Sequence, residues 1–292
     1  MKLHPKWRNP KRLKGFLKVC HSSRIFGCLL ILCLPSLAQA QTPSPLPEWT
    51  YSAGTLLRSS MMPSIPEWTV FTGLSGAYTP RYDGADEHHV QGGPTIEVRY
   101  RDIAFASTGE GIGVNLLHGK NYRAGAAMTF DLGRRAVDSD DTNGLGNVNT
   151  APELKFFGEY LIFPVVLRFD ARRAFGGHNG WIGDLGAYMP VYGTKKFYVF
   201  VGPSVTVADD RYMKKYFGVT TQQAEHSDYS PYTAHAGLKS VNAGGSATWM
   251  MTDHWLMNVI AGGQRLLSDA ANSPLSLDRI QYGTTLTFGY LF

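Results

Sequence analysis

The sequence predicts an all-β fold: a transmembrane antiparallel up-and-down β-barrel of about twelve strands, following a cleaved N-terminal signal peptide. Three observations carry this. Period-two alternation of apolar and polar residues runs from Trp68 to the end of the chain. The connections between the alternating segments are long on one side and short on the other. The last segment, Tyr282 to Phe292, puts Tyr282, Thr284, Leu286, Phe288, Tyr290 and Phe292 on one face and the smaller Gly283, Thr285, Thr287, Gly289 and Leu291 on the other.

That last segment resembles the C-terminal signal of bacterial outer-membrane barrels. The resemblance makes Tyr282, Leu286, Phe288, Tyr290 and Phe292 the expected contact for the barrel assembly machinery. Composition agrees with a β chain: 43% of residues are hydrophobic, with 32 Gly, 15 Tyr and 15 Phe among 292. Cys20, Cys28 and Cys33 all lie at the N-terminus, so nothing later can form a disulfide framework or a Cys-ligated metal site.

The N-terminus reads as a secretory leader. Residues 1–24 carry eight Lys or Arg and no acid, Ile25 to Leu34 is apolar, and Ala38-Gln39-Ala40 supplies small residues for cleavage after Ala40. The apolar run is short for a membrane anchor. Removing the leader leaves 20 Lys and Arg against 23 Asp and Glu, so the overall +5 belongs to the leader and no nucleic-acid partner is expected. The expected division is 1–40 signal peptide, 41–67 Pro-rich periplasmic segment and 68–292 barrel. Within the Pro-rich segment, Pro47-Glu48-Trp49-Thr50 recurs as Pro66-Glu67-Trp68-Thr69.

Strands are expected near 68–78, 90–101, 102–107, 111–117, 122–133, 152–162, 164–175, 180–191, 196–208, 240–251, 254–266 and 280–292. In the clearest, Tyr122, Ala124, Ala126, Met128, Phe130 and Leu132 oppose Arg123, Gly125, Ala127, Thr129, Asp131 and Gly133. Strands of about ten residues with one apolar and one charged face suit a lipid exterior and a polar lumen. A sandwich would bury its apolar faces and use strands of about five or six residues. With both ends periplasmic, the extracellular connections are 79–89, 108–110, 134–151, 176–179, 209–239 and 267–279, mostly long, and every periplasmic turn is short.

The lumen should then hold Glu97, Arg99, Arg101, Arg123, Asp131, Glu153, Lys155, Glu159, Arg168, Asp170 and Arg172. Mixed signs favour a paired network over a selective pore, which would segregate charge at a constriction. Trp68, Tyr78, Tyr100, Tyr122, Phe163, Phe175, Trp181, Trp249, Trp255 and Phe292 fall near strand ends, where aromatic girdles meet the outer-membrane lipid interface.

Several ordered motifs resemble the MipA/OmpV family of outer-membrane proteins. One is Gly202 to Val207 with Ala208, Asp209, Asp210, Arg211, Tyr212 and Met213, continuing to Tyr216, Phe217 and Gly218. Another is Leu267, Ser268, Asp269, Ala270, Ala271, Asn272, Ser273 and Pro274. Gly176-Gly177-His178-Asn179-Gly180, Ala236 to Lys239 and Ala151 to Leu154 also fit. The resemblance spans about Trp68 to Phe292; the repeated Pro-Glu-Trp-Thr lies outside it. It implies an outer-membrane, non-enzymatic scaffold for a lytic murein transglycosylase and a bifunctional murein synthase, with no cofactor and no catalytic residues. The rival expectations are adhesion through the outer loops, a small-solute pore and, last, a lipid hydrolase using His178.

Three clusters invite chemistry. Asp83, Asp86, Glu87, His88 and His89 could meet a divalent ion, although nothing in their spacing fixes a geometry, and solvated loop charge is the simpler reading. His178 sits in a Gly-rich turn without a Ser in a matching motif, so turn chemistry is expected. The 209–239 loop should carry a helix capped by Asp209 or Asp210, with Tyr212–Tyr216 and Met213–Phe217 pairs and an end at Gly218. Its role is either a surface lid or an inward plug.

Overall fold

The computed structural model describes residues 66–292. Twelve antiparallel strands close into one barrel in simple sequence order: β1 Trp68–Pro80, β2 His88–Tyr100, β3 Ala104–Ser107, β4 Gly111–His118, β5 Tyr122–Asp131, β6 Ala151–Ile162, β7 Val165–Ala174, β8 Trp181–Gly193, β9 Phe197–Ala208, β10 Gly237–Met250, β11 Trp255–Leu266 and β12 Ile280–Leu291. The barrel is sealed by β1 against β12, from Phe71↔Leu291 to Tyr78↔Thr284. Three short helices lie in the outer loops: α1 Asp210–Phe217, α2 Thr221–Ala224 and α3 Ser268–Asn272. No helix among the described residues is long and apolar enough to cross a membrane. The expected signal peptide and nearly all of the Pro-rich segment lie outside the described residues.

Alternation decides which face is which. Along β5, Arg123, Ala127, Thr129 and Asp131 are buried inside while Tyr122, Met128 and Phe130 are exposed outside. The outward set continues around the wall with Leu74, Ile112, Phe156, Leu167, Phe169, Leu185, Val207, Leu286 and Phe288, all exposed. An exterior this apolar around an interior this charged matches hydrocarbon outside, and closure leaves no long free sheet edge on most of the circumference. The expected aromatic positions bear this out. Trp68, Tyr122, Phe163, Trp249, Trp255 and Phe292 are exposed toward the end where β1 begins and β12 ends, and Tyr78, Phe175 and Trp181 toward the other.

The strand expectations hold with shifted ends, and three differences matter. β10 begins at Gly237 rather than 240, because its ladder continues as Gly237↔Ala208 and Leu238↔Val207 across a bulge before Ser240. β3 is only four residues long. Its hairpin with β4 turns at Ser107↔Gly111, and Ser107 lies opposite Glu97 of β2, so the 108–110 turn, expected outside the cell, stops far below the top of β2. Arg101, expected in the lumen, sits in the β2–β3 turn with φ 49°, is about half exposed and meets Glu67 at 3.0 Å. The chain reverses there before the alternation can point it inward.

Candidate functional site

The interior divides into a charged arc and an uncharged one. The charged arc arises from register: Arg123 lies beside Glu159, and Glu159 beside Arg168, on neighbouring strands. Arg123 Nε donates to Glu159 Oε2 at 2.9 Å and its Nη2 to Oε1 at 3.1 Å, while Arg168 Nη1 donates to the same Oε1 at 2.9 Å. Arg99 donates to Glu97 and, at 2.7 Å, to Glu110, which also lies 3.5 Å from Arg123. Asp170 stands 3.5 Å from both Arg168 and Arg172, and Arg172 donates to Asp184 at 2.7 Å. Lys155 is likewise buried in this arc. Buried charges in such numbers are tolerated because each meets an opposite partner. Glu97, Arg99, Arg123, Asp131, Glu153, Arg168, Asp170 and Arg172 face the lumen, and Arg101 lies in the β2–β3 turn.

From β9 onward the wall becomes hydroxyl and amide, apart from Lys239 at the outer end of β10. Thr206 donates to Asp184 at 2.5 Å and closes the charged arc, and Asn242 donates to Ser204 and Thr206 at 3.0 and 3.2 Å. Toward the periplasmic end, Leu161, Val166, Tyr188 and Phe200 pack together inside the barrel.

The outer mouth is covered by the two motif loops docked on each other. Asp209 caps α1 by accepting the Tyr212 N–H at 2.9 Å, as its sequence suggested. Gly218 follows the helix with φ −84°, so it ends α1 in extended rather than left-handed backbone. The i,i+4 pairs face inward: Tyr212, Met213 and Phe217 are fully buried, and Tyr216 nearly so, against Val148, Ile182, Leu266, Ala270 and Ala271. The loop is therefore the inward plug. Its second partner is the α3 loop. Ser273 Oγ donates to Phe217 O at 2.6 Å, Tyr232 Oη to Asp269 O at 3.0 Å, and Asp269 accepts the His235 N–H at 2.8 Å. Asp210 accepts the Ala236 N–H at 2.6 Å. Arg211 and Ser268 are exposed, Gly218 and Leu267 lie at the loop junctions, and Pro274 is half-buried.

Two contacts tie the outer loops to the wall, the first holding this lid and the second the β1–β2 loop. Tyr216 Oη donates to Asp131 at 2.6 Å, and Arg134 donates to Tyr216 O at 3.2 Å with its guanidinium over the Tyr82 ring. His178 sits under the edge of Tyr212, accepts the Gly180 N–H on Nδ1 at 3.0 Å, and places Nε2 3.3 Å from both Asp131 and Glu153. The expected turn is present, with Asn179 at φ 50°, and it also aims His178 between two carboxylates. The second tie is Asp83. Lys239 Nζ donates to it at 2.5 Å and Gln264 at 2.8 Å; Gln264 also donates to Gln281, whose amide reaches Tyr82 O and Ala85 O. Burial alone would raise the Asp83 carboxyl, but Lys239 and the two hydrogen bonds hold it below the usual carboxylate range.

The acidic and histidine cluster does not assemble. Glu87 pairs with Arg81 at 2.8 Å, His88 belongs to β2 and stacks between Tyr78 and Tyr282, and Asp83 faces Lys239. Among the described residues no group of three His, Cys, Asp or Glu is arranged to hold a metal. Sequence reasoning missed Glu110 and Asp184, and it named Asp83 and Lys239 without pairing them. For Asp184 the signal was present, since it alternates with the outward Leu185. The terminal-strand residues Tyr282, Leu286, Phe288 and Phe292 are exposed on the lipid face, and Tyr290 half-exposed.

This is an outer-membrane β-barrel of the Gram-negative type, closed over a charged interior. Solved structures similar to it include three outer-membrane proteins. The N-terminal β-barrel domain of Pseudomonas aeruginosa OprF is 9% identical and covers 78% of this chain and 100% of its own, with a TM-score of 0.27. The COG4313 outer membrane channel of Pseudomonas putida F1 is 10% identical over 79% and 97%, with 0.36. OmpT of Vibrio cholerae is 9% identical over 78% and 98%, with 0.33. At these scores the likenesses say nothing about activity. Among curated proteins nothing matches significantly. The model of one family, described as MltA-interacting protein MipA, matches residues 72–292, most of the described barrel, and the chain belongs to that family.

Proposed function

We propose that this barrel is a non-enzymatic outer-membrane scaffold that holds murein-processing enzymes, a lytic transglycosylase and a bifunctional murein synthase, at its periplasmic face. The observation that carries the reading is membership of the family described as MltA-interacting protein, over residues 72–292. The plugged outer mouth favours it over a pore, because the motif loops occupy the route a solute would take. The periplasmic turns, 101–103, 119–121, 163–164, 194–196 and 251–254, are short, but they present Arg101, Lys120, Lys195 and Lys196 beside exposed Trp68 and Phe163. A stable protein interface takes about 800 Å² per partner. In this proposal residues 41–67 add to the rim to reach it, and the terminal strand serves the barrel assembly machinery.

The test is affinity capture of a purified murein transglycosylase and murein synthase on the refolded barrel, with and without residues 41–67. Capture that requires the segment places the contact there, and capture that survives its loss places it on the rim. Absence of capture in both forms refutes the scaffold.

A further inference from the structure

β2 is bonded on one side along its whole length, from Trp68↔Tyr100 to Pro80↔His88, but on the other side β3 pairs only with Glu97 to Tyr100. Thr108 adds two bonds, its N–H donating to Ile96 O at 3.0 Å and its Oγ1 accepting the Ile96 N–H at 3.4 Å. Above that, residues 88–95 run beside no strand for about 26 Å. Across the gap, β4 reaches only Met128 of β5, and Thr129 to Asp131 pair with β6 alone. The wall thus lacks its third and fourth strands in the outer half. In a wall of even spacing the missing strands leave about 14 Å between β2 and β5.

The window has a built frame. Its floor is the Ser107–Gly111 turn, where Ser107 Oγ accepts the Gly109 and Glu110 N–H groups, and Gly111 adopts φ 83° with Met128 O where a Cβ would stand. Its top is the 136–138 segment, tied to β1–β2 by Arg81 Nη1 donating to Asp138 O at 2.7 Å. Its apolar rim is Val90, Ile96, Ile112, Met128 and Val137, all exposed. Directly below, on the outer face, lies a depression of about 610 Å³ whose lining includes Val98, Ala104, Ala106, Val114, Ala126 and Leu154. It is shallow-walled because Ala replaces the larger side chains found elsewhere on the exterior.

Two occupants compete for such a place. A strand from another chain would continue the ladder, but the exposed edge runs Gly92-Gly93-Pro94. Ile96 turns its backbone toward the gap, so by alternation Pro94 does too, and there it has no N–H to give. Proline on an edge is a device against strand addition. Val90 is level with Tyr78 of the outer belt, so the lower window, from Ile96 and Ile112, and the depression beneath it lie between the two aromatic belts, where the surrounding medium is lipid. We propose that the β2–β5 window and the depression beneath it form a lateral seat for an acyl chain of an outer-membrane lipid. The two glycines leave the entrance unobstructed, and the alanines give the chain a bed on the wall.

The purified full-length barrel, probed by native mass spectrometry with palmitoyl-oleoyl phosphatidylethanolamine in mild detergent, should retain one lipid. Filling the bed with Ala106→Trp and Ala126→Trp together should cut that adduct at least tenfold. Ala261→Trp, on the exposed face of β11, should leave it unchanged. Equal retention by all three proteins, or none by the unmodified barrel, overturns the proposal. Should the double variant fail to show the heat-modifiable mobility of a folded barrel, Thr108→Cys decides. In vesicles this cysteine should react at least tenfold faster with a membrane-soluble maleimide than with a charged, impermeant one. The reverse ratio means the window opens to water, and the lipid seat is wrong.

Discussion

Glu159→Gln isolates what the lumen is made of. Glu159 accepts three hydrogen bonds from two arginines, at 2.9, 3.1 and 2.9 Å, and none of the three side chains is more than 5% exposed. Glutamine keeps the volume and one acceptor but removes the charge. About two charge-assisted bonds are lost, each contributing about 1.5–3 kcal/mol. Breaking a buried pair from one side costs about 3–5 kcal/mol, because the cation left behind stays buried. Arg123 keeps Glu110 at 3.5 Å and Arg168 keeps Asp170 at 3.5 Å, which argues for the lower part of that range. Guanidinium unfolding of the refolded barrel in lipid vesicles, followed by tryptophan fluorescence, should give a loss of about 3 kcal/mol. Adding Arg168→Gln should recover part of it by removing an orphaned cation. A change within about 0.5 kcal/mol for Glu159→Gln alone would falsify the packed-lumen account, since only charges in contact with water are so cheaply unpaired. That outcome would bring the pore reading back.

Two further outcomes concern the outer mouth, the first its β1–β2 loop and the second the lid. The Asp83 carboxyl is held below its ordinary range in the folded barrel, so its contribution is complete above the unfolded value of about 3.9 and is lost as pH falls through the lower folded value. Ionic conductance of the barrel in planar bilayers should therefore stay flat from neutral pH to about pH 4 and rise only below it; Asp83→Asn should abolish this acid step, and an acid step that persists in the variant would assign it elsewhere. Phe217→Ala removes a fully buried anchor of α1 and should weaken lid docking by about 3–5 kcal/mol, seen as faster trypsin cleavage after Lys214 or Lys215 at neutral pH. Unchanged cleavage would mean that other members of the Tyr212–Phe217 cluster hold the lid.

The wall was legible because each strand's period-two pattern is local. Arg123, Glu159 and Arg168 read as inward from their own neighbours, and register then placed them side by side. The α1 cap was legible for the same reason, since Asp209 and the Tyr212 N–H are three residues apart. The Asp83–Lys239 tie was not, because it joins residues 156 positions apart, and an acid in a Gly-containing turn reads as solvated charge. A short β3 was expected at 102–107 and forms at Ala104–Ser107; what stayed hidden was how low its turn sits against β2, because register is not written in the local pattern. Arg101 continued the alternation of β2 in sequence but not in space, because a left-handed residue reverses the chain there.

The seam between β1 and β12 also sets an order of events. It joins Phe71 to Leu291, partners about 220 residues apart, whereas the other neighbours are consecutive strands linked by one hairpin or loop. Closing so long a loop adds little to the equilibrium cost, because that cost grows only logarithmically, but distant contacts form slowly. Until β12 arrives, the outer edge of β1 and the aromatic flank of the final strand stand open together. The interval before closure is thus a period of aggregation risk for this chain, which the β1–β12 pairing ends at that seam.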